Sequence, residues 1–142
     1  MATIQINYLG DLRTEDLHLQ SGTRIHTDAP SDNQGRGEAF SPTDLVANAL
    51  GTCILTTMAI FARRDGIELA ESSAEVTKIM STEPPRRIAR IEIDITLRAQ
   101  TGSGEPLTDA QKTKLERIAQ TCPVAISLHP DLEQAVTIRW VG

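Results

Sequence analysis

Aromatic residues are scarce in this chain of 142 residues, which holds 1 Trp, 1 Tyr and 2 Phe. So few rings cannot supply the stacking platforms that hold single-stranded nucleic acid, and any core must be aliphatic. Positive charge is also short, with 14 Lys and Arg against 19 Asp and Glu and a net charge of −5 at pH 7. The longest basic clusters are the pairs Arg63-Arg64 and Arg86-Arg87. That balance argues against a nucleic-acid or anionic-membrane partner. Only 2 cysteines occur, Cys53 and Cys122, and neither belongs to a Cys-x-x-Cys pair. They are too few for a secreted disulfide scaffold. His18, His26 and His129 are scattered and share no ligand spacing with the cysteines, so neither a metal site nor a bound cofactor is expected. The first residues, Met1 to Asn7, show no basic region and no apolar signal segment. The most apolar run, Leu45 to Ala62, is interrupted by Asn48, Gly51 and several threonines and does not read as a membrane span. The expectation is a soluble, cytoplasmic protein of one domain, residues 1–142.

What is present is a clear alternation of patterns. Ile4 and Ile6, then Leu17 and Leu19, alternate with polar residues, and Ser21-Gly22 signals a turn into a return strand over Thr23–Thr27. Pro30 to Gly37 is a loop by composition. A helix start follows, with Ser41 as N-cap, Pro42 at the first helical position and Asp44 at the capping-box position. From Leu45 to Ala62 apolar residues cover nearly every face, which predicts a helix buried at the centre of its fold or assembly. Strands are expected over Ala74–Met80 and Ile88–Ala99, on either side of Glu83-Pro84-Pro85. A second helix opens on Thr108 with Gln111 completing its capping box, and Leu115, Ile118, Ala119 and Cys122 form one apolar stripe. Pro123 can begin a further short turn that ends before Pro130, and Val136, Ile138 and Trp140 form a last strand. Three strands, a long helix, two strands, a helix and a strand make an α+β protein with antiparallel sheets around a central helix. An all-round apolar helix needs more cover than one small chain supplies, so the domain reads as half of a dimer.

Both cysteines fall on faces expected to point inward. Each could be a small buried hydrophobe. If the two faces pack together, however, the thiols would form a redox couple, because structural disulfides are unusual in a cytoplasm. Cys122 precedes Pro123 and could cap the turn that follows, where a thiolate is favoured. Cys53 lies mid-helix, too far from the helix start for much help from the dipole, and is expected to need a nearby arginine.

Two stretches resemble a known family. Ser41-Pro42-Thr43-Asp44-Leu45 followed by Ala49-Leu50-Gly51-Thr52-Cys53 is similar to the long helix of the OsmC-like and organic hydroperoxide resistance proteins. Cys122-Pro123-Val124, after an amphipathic helix, resembles their second-cysteine motif. The resemblance covers essentially the whole chain and implies an intertwined α+β homodimer with long central helices. It implies a thiol peroxidase for organic hydroperoxides, with Cys53 as the peroxidatic cysteine and Cys122 as the resolving one. An external dithiol of lipoyl type would reduce the disulfide. The family also pairs an arginine with a carboxylate on the helix. Asp44 fits the acid, although it could equally be a helix cap; the hydroperoxide-resistance branch has Glu where this chain has Thr43. Nine residues of helix separate Asp44 from Cys53 by roughly 13 Å, so they cannot touch directly. Arg13, ahead of the Ser21-Gly22 turn, is the candidate arginine, and Arg36 is its rival. The competing expectation is a non-enzymatic dimer that binds a small apolar molecule or senses redox state.

Overall fold

Three short strands open the chain and form one antiparallel sheet in the order β1 (Ile4–Gly10), β2 (Arg13–His18) and β3 (Arg24–Asp28). The structure is a computed structural model that describes residues 1–141. The chain divides after Val46 into two compact units. In the first, the register sets Ile6 opposite Asp16 and Asp16 opposite Ile25, so Ile4, Ile6, Tyr8 and Ile25 share one sheet face. All four are exposed. The opposite face carries Arg13 and the fully buried Asp28, and the unit's other buried residues are the polar Thr27 and Ser41. This unit is held by its ladder and by charge pairing rather than by an apolar core.

The long helix α1 (Pro42–Arg64) begins as its sequence predicts. The Asp44 amide donates to Ser41 Oγ at 3.1 Å, and the Ser41 amide donates to Asp44 Oδ2 at 3.0 Å. Two otherwise orphaned donors are thereby satisfied at the helix start. Arg63 and Arg64 occupy the last turn, and Gly66 follows with φ 73°, a left-handed conformation that suits glycine. Within one chain its burial is partial. Only Ala47, Leu50, Gly51, Ile54, Met58 and Ala62 are buried, a single stripe, while Ile60 remains 52% exposed. One chain offers this helix one packing surface, so one stripe is all it covers. At 23 residues α1 is long and apolar enough to cross a bilayer, yet its buried stripe belongs to the core of the second unit. A Cβ added at Gly51 would lie 2.9 Å from Val76 Cγ2, so the helix approaches the second sheet closely at that point.

That sheet has the order β4 (Ile67–Met80), β5 (Ile88–Thr101) and β6 (Glu133–Trp140). Ile91, Ile93, Ile95 and Leu97 of β5 are all fully buried, as their strict alternation predicts. β4 starts well before the expected Ala74, because a bulge between Ala70 and Ser73 hides the alternation. Ser72 Oγ bridges the gap there, accepting from the Arg98 amide at 3.1 Å. The antiparallel expectation also needs one correction: β6 pairs with β5 in parallel, Ile93 opposite Val136 and Ile95 opposite Ile138. The intervening α2 (Asp109–Ile118) and α3 (Pro123–Ser127) supply the crossover that a parallel pair requires. α2 carries the expected Thr108–Gln111 capping box and buries Leu115, Ile118 and the following Ala119.

Candidate active site

Within the second unit the fold brings the two cysteines together, and both are free thiols. Cys53 lies midway along α1 and is half-buried; one helical turn later its Sγ meets Thr57 Oγ1 at 3.8 Å. Cys122 is fully buried at the end of the stripe that α2 begins. It is the N-cap of α3, with Pro123 at the first helical position, and its Sγ accepts from the Ala125 amide at 3.4 Å.

Their acidities move in opposite directions. Burial pushes the Cys53 thiol up, but the Val124 amide, the Cys122 thiol and the Thr57 hydroxyl all favour its thiolate, and the net result lies below the ordinary thiol value. Burial pushes the Cys122 thiol up. The Ala125 and Val124 amides pull the other way, but the neighbouring Cys53 sulfur adds to the rise, so Cys122 keeps its proton. This reverses the expectation from sequence. The capping cysteine is the less acidic one, because it is wholly desolvated. The mid-helix cysteine ionises more readily through uncharged donors of its own unit. A low-pKa, partly accessible thiol beside a protonated, buried thiol is an arrangement suited to nucleophilic sulfur chemistry followed by disulfide formation.

The remaining candidates lie in the first unit. Arg13 grips Asp28 through both guanidinium branches, Nε–Oδ1 at 2.7 Å and Nη2–Oδ2 at 2.8 Å, and Nη2 also reaches Glu38 Oε1 at 3.4 Å. The Glu38 amide donates to Asp28 Oδ2 at 3.1 Å. Hydrogen bonding to Arg13 holds Asp28 below the usual carboxylate range despite its burial, and the same bonds raise Arg13 further. Arg36 pairs instead with Asp11 at 2.8 Å. Asp44 forms the helix capping box described above. The histidines have other partners: His18 with Ser21, His26 with Glu15 and His129 with Asp131. Among the described residues no group of three His, Cys, Asp or Glu side chains could hold a metal ion. Sequence reasoning missed Thr57, the Val124 amide and Asp28. The first was signalled by its spacing of four residues from Cys53, and the second by Pro123, which sets the turn that presents the amide.

Comparison with known proteins agrees with this architecture. The model of the OsmC-like protein family matches residues 35–136. A crystal structure from Psychrobacter arcticus 273-4, of a protein named for an osmotic-stress and detoxification response, is 48% identical. The alignment covers 98% of this chain and 96% of that one, with a TM-score of 0.88. An OsmC-like protein from Mycoplasma pneumoniae has 18% identity and a TM-score of 0.78, covering 98% and 96% of the two chains. The organic hydroperoxide resistance protein OhrB of Bacillus subtilis has 12% identity and a TM-score of 0.65, covering 98% of each. At those two lower identities the likeness is one of fold. A search of curated protein sequences returns no match. With the family model spanning most of the chain and a relative nearly half identical over its whole length, this protein belongs to the OsmC-like family.

Proposed function

We propose that the protein is a thiol-dependent peroxidase that reduces organic hydroperoxides to alcohols. The observation that carries this reading is a pair of neighbouring free thiols, Cys53 half-buried and Cys122 fully buried, whose acidities shift in opposite directions. The substrate class is supported by relatives from Bacillus subtilis and Elizabethkingia anophelis that are named organic hydroperoxide resistance proteins.

In this reading the Cys53 thiolate attacks the distal peroxide oxygen. An S–O bond forms, the O–O bond breaks, and the departing alkoxide takes up a proton to leave as alcohol. Cys53 becomes a sulfenic acid. The Cys122 sulfur then attacks the Cys53 sulfur, hydroxide leaves and is protonated to water, and a Cys53–Cys122 disulfide remains. An external dithiol of lipoyl type reduces it by thiol–disulfide exchange, so no bound cofactor takes part. Arg13 is the candidate cation of this reading, its guanidinium held in one orientation by Asp28, and Asp44 is the candidate acid on the helix. We also infer a homodimer, supported by the exposed Ile4, Ile6 and Tyr8 of β1 and Ile60 of α1. A sizing column that returns a stable monomer of 15.5 kDa contradicts the dimer.

The function is tested by turnover of cumene hydroperoxide with dihydrolipoamide as reductant. Wild type consumes peroxide catalytically, Cys53→Ser consumes none, and Cys122→Ser loses the dithiol-driven turnover. A folded wild-type protein that leaves cumene hydroperoxide untouched under these conditions ends the proposal.

A further inference from the structure

Three threonines flank Cys53 on α1, and their hydroxyls have different occupations. Thr52 Oγ1 donates to the Ala49 carbonyl at 3.2 Å, and Thr56 Oγ1 donates to the Thr52 carbonyl at 2.8 Å. Both are exposed, and both make the back-bond to the preceding turn that is usual for threonine in a helix. Thr57 is half-buried, and its hydroxyl faces the Cys53 sulfur at 3.8 Å. A thiolate carries no proton, so once Cys53 ionises only the Thr57 hydroxyl can be the donor in this contact. The hydroxyl stands one turn C-terminal to the sulfur on the same helix face, so the contact is fixed by the helix itself rather than by a mobile loop.

We propose that Thr57 is a further functional residue of this site, whose hydroxyl donates to the Cys53 thiolate, helps to hold the sulfur ionised and fixes its direction of attack. The assignment rests on the peroxidase reading for the reaction it serves. Its effect on the sulfur can be measured with no peroxide present. A charge-assisted hydrogen bond stabilises the ionised partner more than the neutral one, so its loss moves the ionisation of Cys53 upward.

The test is the pH profile of iodoacetamide alkylation at Cys53, resolved from Cys122 by peptide mass spectrometry, in the intact two-cysteine protein. Thr57→Val preserves side-chain shape and removes the hydroxyl; its midpoint is expected to rise by roughly 0.5–1 pH unit. Thr57→Ser restores the donor and is expected to return the midpoint to the wild-type value. If Thr57→Val does not fold, Thr57→Ala takes its place with the same expectation. A folded variant without the hydroxyl whose midpoint equals wild type overturns the proposal, and so does a Thr57→Ser midpoint as high as that of Thr57→Val. The outcome separates from the proposed function. A shifted midpoint in a protein inert to cumene hydroperoxide removes the peroxidase and leaves Thr57 assigned. An unshifted midpoint in an active peroxidase removes Thr57 alone.

Discussion

The fully buried Cys122 lies beside the half-buried Cys53, and its thiol favours the Cys53 thiolate, so the second cysteine contributes to the acidity of the first. The relationship is not symmetric. The Cys53 sulfur in turn raises Cys122, with burial the larger cause. The same contact therefore favours a thiolate at the accessible sulfur and a thiol at the enclosed one.

Cys122 is accordingly expected to matter before any disulfide forms. Cys122→Ala removes a donor from Cys53 and should move the midpoint of its alkylation profile up by roughly 0.5–1 pH unit. Cys122→Ser keeps a donor at that position and should lie near wild type. Equal midpoints for wild type and Cys122→Ala refute the donor role.

The pH dependence of peroxide reduction follows from the lowered Cys53 value. The thiolate fraction falls as pH drops through that value, so the rate falls on the acid side. Half-maximal rate is expected below the ordinary thiol value of 9.0. Single-turnover rates measured across pH check this, and a half-maximum above that value speaks against a lowered Cys53.

Asp28 is held below the usual carboxylate range, first by its hydrogen bonds from Arg13. A depressed folded-state pKa adds stability above the unfolded carboxylate value, about 3.9, and that stability is lost as pH falls through the folded value. Asp28→Asn should lower stability at neutral pH and flatten the acid limb of the profile. Thermal melts from pH 7 down to acid conditions check it; parallel wild-type and variant curves contradict the account.

The second unit depends on the aliphatic face of β5. Ile93, fully buried and opposite Val136 of β6, is a central member of that face. Ile93→Ala should cost about 2–5 kcal/mol in urea unfolding, the usual sum of lost transfer energy and the cavity left behind. A cost below about 1 kcal/mol would mean that this face is not the core.

Much of this fold is written locally. Ser41 and Asp44, and Thr108 and Gln111, announce their helix starts because each cap is made by residues three apart. β5 is legible because only one of its faces is buried. The parallel pairing of β6 is not, since Val136 and Ile138 alternate alike beside a neighbour of either direction. The early start of β4 is masked by its bulge, where a side chain replaces part of the ladder. At the site, the motifs around Cys53 and Cys122 mark the sulfurs, and Pro123 marks the turn that presents the Val124 amide, but the acidities depend on burial, which only the folded chain decides. Arg13 is visible as a residue. Its grip on Asp28, fifteen positions away, depends on the β2–β3 register.

The central claim is that Cys53 attacks peroxide and Cys122 resolves the product. The most direct test treats reduced protein with one equivalent of cumene hydroperoxide and maps the sulfur products by mass spectrometry, with Cys53→Ser and Cys122→Ser alongside. Wild type is expected to form an intramolecular Cys53–Cys122 disulfide, Cys122→Ser to trap a Cys53 sulfenic acid, and Cys53→Ser to leave Cys122 unmodified. Oxidation of Cys122 in the absence of Cys53, or thiols that stay reduced in wild type under excess peroxide, would contradict it.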